Sequence, residues 1–199
     1  MNQQQKVWNN IAPEWHEFKT TPAKKTIEFL KKQTGKVLDL GSGSGRNLTK
    51  IKNGKMYLID FSDEMVKLGK KRAKQKKISA EFFISNVTKL PFEDNFFNSA
   101  ICICVLHCIE GKKNREKTIQ ELYRVLKPKA QALIGVWNVN SKRFKNSKKE
   151  KLINWRDKGK RYYYLFEEKE VHDLFKRTGF KILSTHNSEM MINFIVEKA

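Results

Sequence analysis

The chain has 199 residues, 41 Lys and Arg against 21 Asp and Glu, and a formal net charge of +20. One domain with a real core, spanning 1–199, is expected at this length, and the excess of cations points to a polyanionic partner, most simply nucleic acid. No run of 18 apolar residues is present and the opening Met-Asn-Gln-Gln-Gln has no apolar signal region, so neither a membrane span nor a secretory leader is expected, and a cytoplasmic or nuclear setting is.

Residues 4–31 read as helices, an N-terminal cap over 1–34, with Trp8, Ile11, Trp15 and Phe18 at helical spacing. Val37-Leu38-Asp39-Leu40 is a short apolar run, as a strand covered on both faces should be. It passes directly into Gly41-Ser42-Gly43-Ser44-Gly45, where three glycines allow a tight turn and close approach of backbone to a ligand. A helix over 43–52 is expected next, carrying Asn47, Leu48 and Ile51. Met56-Tyr57-Leu58-Ile59-Asp60 is a second strand ending in an acid, and Ser62-Asp63-Glu64-Met65 opens a helix over 62–76 with a hydroxyl cap and early acids.

Further strands are expected near 81–85, 98–105 and 131–137, with a helix over 114–126 whose Ile119, Leu122, Val125 and Leu126 share a face. Cys102, Cys104 and Cys108 could suggest a metal with His107. Two of them lie inside an apolar run, however, where cysteine behaves as a small hydrophobe, so no metal is expected. The odd number argues against a disulfide framework. A basic insertion over 142–161 holds ten Lys and Arg and two Asp and Glu, with aromatic residues at or beside its ends. It reads as a solvated loop able to touch phosphates and stack on bases. A helix near 167–178 and two strands, 180–186 and 190–197, close the chain.

Strand, glycine turn and helix make the nucleotide-site geometry of an open α/β sheet. The glycines run G-x-G-x-G with Asp39 two residues before, and Asp60 lies 19 residues beyond Gly41, the spacing of a carboxylate that accepts ribose hydroxyls. The pattern resembles the first motif of class I S-adenosylmethionine (SAM) methyltransferases. An acid suits that cofactor, which carries an ammonium and a sulfonium and no phosphate. The resemblance implies an α/β Rossmann-like fold, a mostly parallel seven-stranded sheet ending in a C-terminal antiparallel hairpin. It implies a cofactor set of Asp39, Gly41, Ser42, Gly43, Gly45, Asp60, Phe61, Met65, Asn86, Val87, Cys104 and Trp15. Asn86 and Asn98 stand where the family commonly has Asp. At Asn86 the amide oxygen is expected to accept from the adenine amino group.

Val7-Trp8-Asn9-Asn10-Ile11-Ala12, Val105-Leu106-His107-Cys108, Arg115, Val136-Trp137 and Arg161-Tyr162-Tyr163-Tyr164-Leu165-Phe166 together resemble the tRNA wobble-uridine carboxymethyl O-methyltransferases. That family esterifies 5-carboxymethyluridine and works with a small zinc-binding activator subunit. The resemblance therefore implies tRNA as substrate and such an activator as partner. The chain departs from it at Cys108, Lys19 and Asn138-Val139-Asn140. A carboxylate acceptor is ionised at neutral pH and needs no general base, only cations and donors to orient it. His107, Arg115, Arg161, Tyr162 and Lys19 are the candidates. Two competing readings are a SAM-dependent enzyme acting on a small molecule or lipid, against which the charge speaks, and a non-catalytic RNA-binding subunit, against which Asp39, Gly41, Gly43 and Asp60 speak.

Overall fold

The computed structural model describes residues 3–199. Its chain order is α1 (Gln3–Phe18), α2 (Lys24–Leu30), β1 (Thr34–Leu40), β2 (Lys52–Asp60), α3 (Asp63–Lys76), β3 (Ala80–Ile84), β4 (Phe97–Ile103), α4 (Lys112–Val125), β5 (Leu126–Trp137), β6 (Glu150–Asn154), β7 (Lys160–Tyr164), α5 (Glu168–Arg177), β8 (Phe180–Thr185) and β9 (Met191–Lys198). Seven strands form one sheet in the order β3-β2-β1-β4-β5-β9-β8. β1 to β5 run parallel, while β9 pairs antiparallel with β5 and β8 antiparallel with β9. This is the expected α/β sheet with its closing hairpin. No helix among the described residues is long and apolar enough to cross a membrane.

Alternation along each strand divides the core into two layers. Leu38, Leu40, Tyr57, Ile59, Ala100 and Ile134 face one way and pack against Ile119 and Leu122 of α4 and Val171 and Phe175 of α5. Val37, Met56, Leu58, Ile101 and Leu133 face the other way, against Phe29 and Leu30 of α2 and Ala73 of α3. Both faces being covered explains why the strands read as continuous apolar runs.

The helix expected over 43–52 does not form. Gly41, Gly43 and Gly45 all adopt positive φ (68°, 54° and 73°), and the segment closes through turns, Gly45 N–H to Ser42 O at 3.1 Å and Leu48 N–H to Gly45 O at 3.2 Å. β2 then begins early, with Lys52 paired to Thr34. The short segment between the strands inserts Leu48 and Ile51 into the second core layer. Tertiary burial overrides the local preference.

The basic insertion is not one loop. β6 and β7 form an antiparallel hairpin, and Phe144 before it is buried against Trp137. α1 lies between this hairpin and α3. Gln4 reads the edge of β7, accepting from Tyr162 N–H at 3.0 Å and donating to Lys160 O at 3.2 Å. On its other side Gln5 donates to Phe61 O at 2.7 Å, and Arg72 of α3 donates to His16 O at 2.7 Å and Lys19 O at 3.3 Å. The guanidinium thus satisfies carbonyls at the C-terminal end of α1, where a cation is favoured by the helix dipole. Glu14 anchors the hairpin tip, accepting from Trp155 Nε1 at 2.8 Å and pairing with Arg156 and Lys158.

The β1–β2 junction leaves no room for a side chain at Gly54, where an added Cβ would stand 1.9 Å from Gly35 O. Gly54→Ala should therefore destabilise the protein by about 2–3 kcal/mol, the scale of an overpacked core. Urea unfolding measures it, and an unchanged midpoint would show that the strands separate freely here.

Candidate functional site

A cavity of about 450 Å³ opens at the C-terminal ends of β1, β2 and β4, the place where open α/β sheets bind ligands. The turn Gly41–Ser44 forms its floor, with Asp60 and Phe61 on one side and Asn86–Thr88 on another. Ile103–Val105 lies opposite, and Gln3, Gln4, Trp8 and Trp15 of α1 close the top.

Asp60 organises this space. Its Oδ2 accepts Gly43 N–H at 2.8 Å and its Oδ1 accepts Ser62 N–H at 2.9 Å. Burial raises its pKa to about 6, against the opposing pull of these N–H groups. Asp39 lies deeper, 1% exposed, and burial raises it to about 7 while Asn47 Nδ2 donates to it at 3.5 Å. Asn47 lines the cavity, and its Oδ1 is a buried acceptor without a partner. Gly41 is obligatory: at φ 68° an added Cβ would meet Val105 methyls at 2.5 Å.

Of the residues expected to bind cofactor, Gly41, Ser42, Gly43, Asp60, Phe61, Met65, Asn86, Val87, Cys104 and Trp15 line the cavity. Asp39 and Gly45 lie beneath it: Asp39 faces the turn through Asn47, and Gly45 packs against Leu48, 2.8 Å from an added Cβ. The Asn86 oxygen is engaged in a local turn of the free protein. Its Oδ1 already accepts from Thr88 N–H and Thr88 Oγ1, each at 3.0 Å, so both lone pairs are used in the local turn. Arg46, Asn47 and the α1 residues Gln3, Gln4 and Trp8 join the lining without having been expected there. Arg46 directly follows the glycine turn and could have been suspected; the glutamines carry no signal beyond helix amphipathicity.

The five residues expected around the acceptor divide differently. His107, Arg115, Arg161 and Tyr162 are all buried and none lines the cavity. Tyr163 and Trp137 flank His107, whose Nδ1 accepts Trp137 N–H at 3.0 Å. Burial lowers its pKa to about 3, so it is neutral and not a cation for an acceptor. Arg115 lies 3.8 Å from the Tyr164 ring centre and donates to Ile109 O at 3.0 Å and to Tyr162 Oη at 3.4 Å. Together these side chains brace the cavity wall from behind, because the β6–β7 hairpin folds them inward. Lys19 is half-buried at the end of α1, 5.7 Å from the Trp15 ring centre. Among the described residues no group of three or more His, Cys, Asp or Glu is gathered as a metal would require.

The raised carboxyls set a pH dependence. Both fold with pKa values above the unfolded value, so the folded chain holds more protons than the unfolded one between about pH 4 and 7. Their contribution to stability is largest below that window and is lost as pH rises through it. Asp39→Asn should raise the melting temperature of the free protein at pH 8, on the order of 2–4 °C per kcal/mol of relieved burial, and leave it unchanged near pH 4. Equal melting curves at pH 8 would show that Asp39 is not strained by burial.

The methyltransferase-domain family matches residues 31–179. The "Probable tRNA methyltransferase 9B" of Mus musculus is 29% identical over 75% of this chain and 32% of its own length. The "tRNA (carboxymethyluridine(34)-5-O)-methyltransferase" of Arabidopsis thaliana is 31% identical over 66% of this chain and 32% of its own. The chain thus spans about a third of the length of these two relatives. Among solved structures, a chain from the "Complex between the Haloferax volcanii Trm112 methyltransferase activator and the putative methyltransferase" shares the fold at a TM-score of 0.74 and 15% identity, covering 100% of this chain and 99% of that one. With the sheet order, the glycine turn over Asp60 and a family match across most of the chain, the protein belongs to the methyltransferase-domain family, with S-adenosylmethionine as its cofactor.

Proposed function

We propose that the protein transfers a methyl group from SAM to tRNA, and that the acceptor is the carboxylate of 5-carboxymethyluridine at the wobble position, which becomes its methyl ester. The observation that carries the cofactor part is the union, in one cavity, of the Asp60 carboxylate with the buried, unpartnered Asn47 Oδ1. These groups fit SAM: Asp60 accepts the ribose hydroxyls, Asn47 with Asp39 behind it receives the ammonium, and Arg46 pairs with the amino-acid carboxylate. Met65 and Val87 supply apolar walls. The tRNA part is supported by the two tRNA-methyltransferase relatives and by the net charge of +20.

When bound, SAM supplies a methyl group already activated on a sulfonium. The protein's part is position and electrostatics. The acceptor carboxylate is ionised at neutral pH, so no general base is required, and the neutral, buried His107 is not asked to be one. Trp15 and Trp8 line the α1 side of the cavity and offer apolar surface to the bound groups. Arg115, by holding the Ile109 carbonyl, fixes the wall segment Ile109–Gly111. A small zinc-binding activator subunit belongs to the proposal on the strength of the resemblance, and the Haloferax volcanii complex named above supports an activator as partner.

tRNA docking falls to the exposed lysines. Of the ten cations over 142–161, Lys149 pairs with Glu167 and Glu170, Arg156 and Lys158 pair with Glu14, and Arg161 is buried. Lys142, Lys145 and Lys148 are exposed and make no ion pair among the described residues.

Incubation of carboxymethyluridine-containing tRNA with SAM, with and without an activator subunit, should yield an alkali-labile methyl ester on mass spectrometry of the nucleosides. An alkali-stable methyl on a base nitrogen, carbon or ribose oxygen would remove the carboxylate and leave methyl transfer standing. Replacing Lys142, Lys145 and Lys148 by Ser should weaken tRNA binding and flatten the slope of log K against log salt by about 0.7–0.9 for each phosphate the protein no longer neutralises, with SAM affinity unchanged. An unaltered slope would place the RNA elsewhere.

A further inference from the structure

Beside the cofactor cavity, three cations gather on two groups of aromatic rings that Arg161 joins. Arg161 is 6% exposed. Its guanidinium carbon lies 5.4 Å from the Trp15 ring centre and 5.1 Å from that of Tyr163, and its Nη1 donates to Tyr163 Oη at 2.5 Å. Its Nε is buried with no partner. Tyr163 stacks on Trp137 at 4.3 Å and 14°. Arg143 lies 5.6 Å from the Trp137 ring centre, and Lys19 5.7 Å from that of Trp15.

None of Lys19, Arg143 and Arg161 makes an ion pair among the described residues, although acids are near enough to serve their neighbours. Glu14 of α1 takes Arg156 and Lys158, and Glu167 and Glu170 take Lys149. For the buried Arg161 a charge left without an opposite partner is costly, and ring faces compensate only partly; Lys19 is half-buried and Arg143 exposed, so both are free to meet an incoming charge. Such an arrangement is completed by a ligand that brings its own negative charge. The three charges are also near enough to act on one another: Lys19 is drawn below the usual lysine range, first by its partial burial and then by Arg46, with Arg161 and Arg143 adding to the effect. The group around Trp15 borders the cavity, since Trp15 is part of its lining.

We propose that Lys19, beside Trp15, and Arg143, beside Trp137, with Arg161 between Trp15 and Tyr163, grip the carboxylate of the methyl acceptor. Lys19 is the one acceptor candidate suggested by the sequence that the fold does not bury; like Arg143 it stands outside the cavity lining, beside Trp15. Arg143 replaces Arg115 and Tyr162, which the fold turns away. Arg143 can meet a carboxylate with two parallel N–H donors, and Lys19 adds a point charge from the other side. The seat rests on the proposed transfer to a carboxylate, but its test does not require that transfer to occur.

The probe is acetate, with acetamide as its neutral counterpart, titrated into protein saturated with S-adenosylhomocysteine. The readout is the indole N–H signals of the four tryptophans in NMR. Acetate should move the signals of Trp15 and Trp137 saturably, and acetamide should not. The double variant Lys19→Gln/Arg143→Gln should weaken acetate binding about ten-fold or more, Arg143→Lys alone should weaken it less, and affinity for S-adenosylhomocysteine should stay within about two-fold. Absence of a saturable shift, equal shifts with acetamide, or an unchanged double variant would overturn the seat. So would a parallel loss of S-adenosylhomocysteine affinity, which would assign these cations to the cofactor's own carboxylate. An acetate seat together with failure to esterify tRNA would keep the seat and discard the wobble-uridine reading; esterification without an acetate seat would do the reverse.

Discussion

Two backbone N–H groups, those of Gly43 and Ser62, converge on the carboxylate of Asp60, and the rest of the site is arranged around that convergence. Gly43 belongs to the turn after β1 and Ser62 caps α3 after β2, where its Oγ also accepts Met65 N–H. One side chain therefore ties two strand ends, a turn and a helix start into a fixed relation. Keeping a carboxyl there costs solvation, which is why burial raises its pKa in the free protein. The cost is offset when a ligand presents hydroxyl or ammonium donors, so the energy withheld from stability becomes available for binding.

Elsewhere, buried cations find ring faces and carbonyls in place of carboxylates. Arg72 holds two carbonyls at the end of α1. Arg115 holds Ile109 O and lies over Tyr164. Arg161 is enclosed by Trp8, Trp15, Trp155 and Tyr163. Each fixes geometry without neutralising its charge. The consequence is a positive potential around the site even where the acids of α1 and α5 are consumed by the tips and flanks of the β6–β7 hairpin. A carboxylate or phosphate approaching from outside meets that potential before it meets any specific donor.

Helix α1 decides which residues the site contains. It is joined to β7 through Gln4 and to the β2–α3 junction through Gln5 and the pair Asn9 and Asp63. It also packs Ile11 and Ala12 against Met65. Amide side chains fix the polar links at both flanks, beside the apolar contacts of Ile11 and Ala12 with Met65 and of Trp15 and Phe18 with Trp155. That arrangement lets Trp8 and Trp15 face the cavity, and it lets the hairpin press His107, Arg115 and Tyr162 into the layer behind.

The individual strands and the glycine turn were legible in the residues, because burial on both faces writes continuous apolar runs and a ligand-approaching turn demands glycine, while the sheet with its closing hairpin followed from the family resemblance and its strand order only from the fold. Asp60 was legible as well: its spacing from Gly41 is dictated by one strand-to-strand crossing. The stretch 43–52 is not the expected helix, since nothing local reveals that Leu48 and Ile51 are buried in the second core layer and that β2 already pairs from Lys52. The acceptor side was least legible. Arg115, Arg161 and Tyr162 have the right chemistry and the wrong depth, while Arg143 looked like one cation among ten. Residue type and order along the chain determine what a strand or turn can be; which cations are covered and which stand open is decided only when α1 and the β6–β7 hairpin, far apart in sequence, close on each other.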